Sequence, residues 1–326
     1  MNTTLYPQAM RMLAMCTAFW ALSFPAMKAL SLTQQKMAPE TSVWFITALS
    51  VFYRFVLAGI CLVPWVLRAR PWLTRSELNQ GLLIGLIGGV GVVLQMDGLS
   101  YTDASTSAFL TQFYCAIIPV WMAWKHRQLP SRRVVLCVVL VLAGVAILSG
   151  FDWRKMSFRR GELETLLASV IFTGQILWLG HPGFAGNRTL PFSMVMFFTM
   201  ALTALPVAVA ASPGAPAWVG LYAHRGALTS LAVLVFLSAL GGYLLMNHWQ
   251  KHVPATHAGM IYCLEPVFAS AFALFLPGWF SEFAGIEYSN EKPGWRLVAG
   301  GVLITLANAG LQWGSGENRN KEGPRG

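Results

Sequence analysis

Apolar residues run along this chain in ten stretches, separated by short polar gaps. The stretches lie at about 9–30, 43–67, 81–99, 104–124, 134–150, 162–180, 191–211, 228–247, 254–276 and 295–313. A helix needs ~20 apolar residues to cross a ~30 Å hydrocarbon core. The pattern therefore predicts ten membrane-spanning α-helices. The first stretch follows a single basic residue, Arg11, and the chain after it never turns soluble, so it reads as a retained helix, not a cleaved leader. The polar, Gly-rich end Gly314–Gly326 reads as a disordered tail.

Composition agrees with the pattern. Of 326 residues 56% are hydrophobic and 11% charged, against ~25% charged in soluble domains. So few charges cannot cover a soluble surface, which excludes a cytosolic enzyme, a nucleic-acid-binding domain and a disordered chain. The net charge of +10 sits mainly in the gaps between apolar runs, where Lys and Arg set topology and meet lipid headgroups. The partners expected are the bilayer and a small-molecule substrate, not nucleic acid. With a cytoplasmic N-terminus, 13 Lys and Arg fall on the inner side and 9 on the outer. This favours an inner-membrane protein with both termini cytoplasmic, although Arg154, Lys155, Arg159 and Arg160 oppose that orientation. The five Cys all lie in apolar runs and fit neither a disulfide framework nor a metal site.

The chain also repeats itself. Tyr101–Cys115 (YTDASTSAFLTQFYC) aligns with His252–Pro266 (HVPATHAGMIYCLEP), so that Ala104 matches Ala255, Ala108 matches Gly259 and Tyr114 matches Glu265. Each stretch begins the fourth apolar segment of its half. The fold class expected is an all-α membrane protein of ten helices in two five-helix repeats, 1–150 and 151–313, with a tail at 314–326. An odd number of spans per repeat inverts the second repeat relative to the first. In such folds the binding site lies at the repeat interface near the midplane.

The stretches AFWALSFPAMKAL (18–30), YRFVLAG (53–59), GLSYTDASTSAFLTQFYCAIIPV (98–120), GELETLLASVIFTGQILWLG (161–180) and HWQKHVPATHAGMIYCLEPVFAS (248–270) carry a resemblance. The chain resembles the EamA-type, ten-helix branch of the drug/metabolite transporter superfamily. The resemblance implies a central cavity lined mainly by the first, third, fourth, sixth, eighth and ninth helices. It implies export of amino acids, other metabolites or drugs; related branches carry nucleotide sugars or triose phosphates. The Gly-Glu usual after the fourth helix of each half is missing, and His257 stands where Arg is common before the LEP stretch.

Candidate site residues follow from the cost of polar groups in a membrane. Gln95, Gln112 and Gln175 fall inside spans and either line a wet cavity or bond a neighbouring helix. Arg54 and Glu265 each lie about 11 positions into a span, near the midplane. Either they pair, with Arg54 as charge partner, or Glu265 faces a polar or cationic part of the substrate. Trp20 and Trp178, within the first and sixth spans, either touch substrate or pack. Tyr114 and Tyr262 share helices with Gln112 and Glu265. Asp97, Asp103 and Glu162, near the outer span ends, read as solvated rim residues. Gly85, Gly88, Gly89 and Gly91 imitate a phosphate loop but lie inside a span, where small residues allow close helix packing. No spacing suggests a catalytic constellation, metal site or cofactor. The expectation is a gradient-driven or facilitated secondary transporter, monomeric or homodimeric, exporting a small organic metabolite such as an amino acid. A carrier of phosphorylated metabolites is the alternative; a receptor or enzyme is the alternative from a different class.

Overall fold

The computed structural model describes residues 5–101, 104–150, 154 and 159–321. Asp103, Trp153, Lys155 and the Asn2-Thr3-Thr4 sequence lie outside the described residues. Among those described, all regular structure is helical.

Helices occupy all ten predicted segments. They are α1 (Tyr6–Ala21) with α2 (Ser23–Met37), α3 (Val43–Arg68), α4 (Arg75–Tyr101), α5 (Ala104–Thr111) with α6 (Tyr114–His126), and α7 (Arg132–Ser149). The second half has α8 (Arg160–Leu179), α9 (Thr189–Ala210) and the short α10 (Ala215–Gly220). After them α11 (Arg225–Val233), a π-helical stretch (Leu234–Tyr243) and α12 (Leu244–Trp249) form one rod. Then come α13 (Ala255–Tyr262), α14 (Glu265–Ala273), α15 (Leu276–Ala284) and α16 (Trp295–Lys321). The last helix extends past Trp313, into the stretch whose composition suggests disorder; residues 322–326 lie outside the described residues. A 3-10 turn at Gln250–His252 prolongs the rod, and the chain turns at Val253–Pro254.

Seven helices among the described residues are long and apolar enough to cross a membrane, and an eighth if Ala255–Ala273 and Leu276–Ala284, bent by 56°, form one crossing. Local chemistry sets their ends. Thr74 and Glu77 open α4 with a reciprocal capping box, each side chain accepting from the other's backbone N–H at 2.8 and 3.2 Å. Arg188 closes on the same carboxylate at 2.7 Å, tying the start of α4 to the start of α9. Gly150 ends α7 at φ 63°, a conformation that suits glycine.

The interior is built by four long pairings: α3 with α9, α4 with α8, α4 with α9, and α7 with α16. Glycines set the closest of these approaches. A Cβ on Gly81 would come within 2.6 Å of the Phe192 carbonyl oxygen, and one on Gly85 within 2.7 Å of the Met196 carbonyl oxygen. The glycine run of α4 is thus a packing face, as its place inside a span implies. Without a hydrophobic driving force between helices in lipid, such contact is a main source of association.

The broken helices repeat in register. α5 and α13 begin at 104 and 255 and end at 111 and 262, while α6 and α14 begin at 114 and 265, each boundary displaced by the same 151 residues. The breaks carry matching turns. Gln112 and Phe113 donate to carbonyls three residues back at 3.2 Å, and Cys263 and Leu264 do so at 3.2 and 2.9 Å.

Gly85→Leu is expected to lower the melting temperature of the detergent-solubilised protein, through ~1–3 kcal/mol of overpacking. Gly186→Leu, where no atom lies within 4 Å of the added Cβ, should leave it unchanged. Equal melting of the two variants would contradict the close approach of α4 and α9.

Candidate functional site

A narrow cavity of about 80 Å³ lies where the irregular helices meet. Backbone interruptions bring its polar residues together. Pro25 has no N–H to give the Ala21 carbonyl, and the first rod breaks at Leu22, presenting Trp20 and Ser23 to the cavity. The break between α5 and α6 presents Thr111 and Tyr114. The break between α13 and α14 presents Tyr262 and Glu265, with Pro266 in the first turn of the renewed helix. Gln95 on α4, Gln175 on α8 and Arg54 on α3 complete the polar wall.

Of the residues singled out in the sequence, Trp20, Arg54, Gln95, Tyr114, Gln175, Tyr262 and Glu265 line this cavity. Gln112 stands behind the wall. Its side-chain carbonyl accepts the Tyr114 hydroxyl at 2.6 Å, and the same side chain meets the Glu265 carboxyl group. Trp178 lies off the cavity, its ring stacked on His181 at 5.6 Å and tilted against Phe184. It sits in the last turn of α8, beyond the cavity-lining Phe172, Gln175 and Ile176.

The cavity wall is held by bonds between distant segments. Trp20 packs on Tyr243 and Tyr262 with ring centroids 5.4 and 5.3 Å apart. Its indole nitrogen lies over Gly242, which has no side chain to obstruct it. The Tyr262 hydroxyl donates to Gln250 at 2.8 Å, and Gln250 donates to the Ile176 carbonyl at 2.7 Å, linking α13, the end of the long rod and α8. Gln95 donates to Thr111 at 3.3 Å. At the start of α1, Tyr6 shares a 2.7 Å hydrogen bond with His257.

Arg54 and Glu265 do not close into a salt bridge. Among the described residues no ion pair within 4.0 Å joins them. Arg54 is 5% exposed and donates to Ser238 at 2.6 Å. Its other neighbours are the Met27 sulfur at 3.9 Å and the Phe55 ring at 5.0 Å. Sequence reasoning passed over Ser238, Tyr243, Phe172 and Met246, because hydroxyl, aromatic and apolar residues in a span look like ordinary core.

A second charged cluster corrects an expectation. Asp97, read as a solvated rim residue, is fully buried. Arg160 bridges it to Glu164 and lies over the rings of Trp44 and Tyr101, at 4.9 and 4.2 Å. Glu162 is also buried. The cation that permits this burial comes from 63 positions along the chain.

Comparison with known proteins agrees with this geometry. Residues 9–150 match the profile of the EamA-like transporter family. Two proteins of Archaeoglobus fulgidus, each named an uncharacterized transporter, are similar along most of their length. One is 24% identical over 264 residues, 80% of this chain and 76% of the relative. The other is 23% identical over 292 residues, 80% of this chain and 85% of the relative. A crystal structure with 17% identity shares the fold, with a TM-score of 0.60 over 94% of this chain and 99% of its own. An apolar helical bundle around a mixed cavity, with these relatives, is a membrane transporter. Within that class, residues 9–150, less than half of the chain, match the EamA-like transporter family.

The open Arg54–Glu265 geometry has a thermodynamic signature. A buried pair broken on one side loses ~3–5 kcal/mol. With no closed pair to break, Glu265→Gln should melt close to wild type. The double variant Arg54→Leu with Glu265→Gln should show little coupling in a double-mutant cycle of thermal melting. Strong destabilisation by Glu265→Gln, rescued in the double variant, would contradict this geometry.

Proposed function

We propose that the protein is a secondary transporter that exports a small organic metabolite, an amino acid first, across the inner membrane by alternating access. The observation that carries this reading is the cavity, where broken helices from both halves supply a polar wall to an otherwise apolar bundle. Irregular backbone at membrane depth is tolerated only where it is buried in protein or lines a cavity. In carriers built from repeats such breaks form the substrate site. The common 151-residue displacement of the broken helices supports two repeats. Five spans in each would make ten and place the second repeat upside down. The Lys and Arg distribution supports both termini on the cytoplasmic side.

A carrier of phosphorylated metabolites fits less well. Among the described residues Arg54 is the one Lys or Arg on the cavity wall, and it shares that wall with Glu265. A phosphate dianion would meet a single cation and a carboxyl group. An energy source within the chain is not needed for this proposal: the carrier would run on a solute or ion gradient.

Purified protein in liposomes should show counterflow of labelled solutes from a panel of amino acids and other metabolites. Gln112→Ala and Tyr114→Ala should each reduce that uptake while leaving the protein folded, because Gln112 holds both the Tyr114 hydroxyl and the Glu265 carboxyl group in place. Unchanged uptake in both would remove this wall from the site. Reporters active on only one side of the membrane, fused to each terminus, should both report cytoplasm. Termini on opposite sides would contradict ten spans.

A further inference from the structure

We infer that α15 (Leu276–Ala284) is an interfacial anchor seated on the phospholipid surface, and not the last part of the crossing that α13 begins. Tyr6 bonds to His257 at the start of that crossing, so α15 lies at the end of the bundle remote from Tyr6. This goes beyond the transporter reading and holds whatever solute the cavity takes.

Length gives the first argument. Ala255–Ala273 covers 19 residues, roughly 28 Å at ~1.5 Å per residue, against a hydrocarbon core of ~30 Å. The crossing is therefore complete where α14 ends. α15 then bends away by 56°. At that angle its nine residues advance only about 7 Å along the crossing. That is the depth of one headgroup layer, roughly 5–8 Å.

The backbone places the boundary independently. Ala273 ends α14, and its carbonyl accepts the Glu291 N–H at 2.9 Å. Glu291 belongs to the polar stretch 285–294 (GIEYSNEKPG), irregular backbone that has no place facing hydrocarbon. The same stretch folds over one flank of α15. Asn290 accepts the Gly278 N–H at 2.6 Å, the Ser281 hydroxyl donates to the Ile286 carbonyl, and Ser281 accepts the Tyr288 N–H at 3.4 Å.

α15 has three sides. Pro277, Phe280 and Ala284 are buried where the helix packs on α2 and α11. Phe275, Trp279 and Phe283 recur every four residues along one flank. Phe275 and Trp279 are 54% and 48% exposed, and Trp279 stacks on Phe283 at 5.6 Å. Gly278, Ser281 and Glu282 form the other flank. A helix continuing a crossing meets only protein and hydrocarbon, and the exposed Glu282 would sit in lipid at high cost. Protein on one side, acyl chains under an aromatic flank and water over a polar one define an interfacial helix. Cations mark the same level: Arg225 lies over the Phe283 ring at 5.3 Å, and Lys36 donates to the Gly285 carbonyl at 2.6 Å. The exposed Trp295, which opens α16, continues the flank into an aromatic belt. Glu265 opens α14 on the cavity wall, so the lipid that holds α15 also holds the far end of the helix that carries it.

Spin labels measure the depth. Cys61→Ser leaves four cysteines, all buried. Phe275→Cys, Trp279→Cys and Glu282→Cys are labelled singly on that background, with Leu202→Cys, exposed midway along α9, as the mid-membrane reference. The full-length protein is placed in vesicles of phosphatidylethanolamine and phosphatidylglycerol, and thermal melting verifies folding. Collisions with oxygen, which concentrates in hydrocarbon, are compared with those of a water-soluble nickel chelate. Labels at Phe275→Cys and Trp279→Cys should lie about 5–10 Å below the headgroups, shallower than Leu202→Cys, while Glu282→Cys should favour the chelate. Oxygen preference at all three positions, as deep as Leu202→Cys, makes α15 part of the crossing and overturns the proposal. Chelate preference at all three puts the aromatic flank in an aqueous mouth and overturns it too. Exclusion of both reagents from Phe275→Cys and Trp279→Cys means that protein, such as a second copy, covers the flank, with the same result. If the labelled variants fail to fold, wild type and Trp279→Phe are compared by tryptophan fluorescence in vesicles of lipids brominated near the headgroup or near the chain end. The emission lost in Trp279→Phe should be the part quenched from the headgroup side; quenching of that part from the chain end overturns the proposal.

Discussion

A backbone N–H or C=O group in lipid finds no water to bond. That constraint shapes everything else here, since a break in a membrane helix is costly unless protein or a wet cavity receives it. In this protein the breaks at Leu22, at Gln112–Phe113 and at Cys263–Leu264 all occur next to residues that line one cavity. Tight turns absorb some of the freed groups. The straight helices around them do the opposite work. They keep their backbone bonds internal and use glycine faces to draw close, as α4 does against α9. The fold is thus a rigid scaffold of intact rods around a pocket of deliberate irregularity.

Charge obeys the same economy of partners. The two clusters at opposite ends of α4, Glu77 with Arg188 and Asp97 with Arg160, are closed: each buried carboxylate has a cation in contact. The pair in the middle is open. A bundle able to close its peripheral ion pairs leaves its central one unclosed, a contrast that burial alone does not show.

Much of this was legible in the sequence. Apolar runs of membrane length located the helices, because no other structure satisfies an apolar span. Polar side chains inside those runs located the cavity, because Gln95, Gln175, Arg54 and Glu265 have few other reasons to be there. The alignment of Tyr114 with Glu265 matched the two broken helices residue for residue. What stayed hidden depends on facing and on distance. Trp178 lies within the right helix but in its last turn, beyond the cavity. Tyr243 and Met246 are indistinguishable from packing residues until the cavity is seen. Asp97 looked wet because nothing nearby in the chain could neutralise it, and Arg160 meets it only in three dimensions.

The π-helical stretch Leu234–Tyr243 has one more consequence. A π turn holds an extra residue relative to an α turn and reads as a local insertion within a helix that otherwise continues unbroken. It places Ser238 against Arg54 and Gly242 beneath Trp20 on the same rod. Deleting one residue there would restore α-helical pairing and shift side chains within the stretch by one helical position, roughly 100°. Length in this stretch is therefore a harder constraint than identity: side chains can be exchanged singly, whereas a change of one position in the reading of the helix would disengage Ser238 and Gly242 from their partners together.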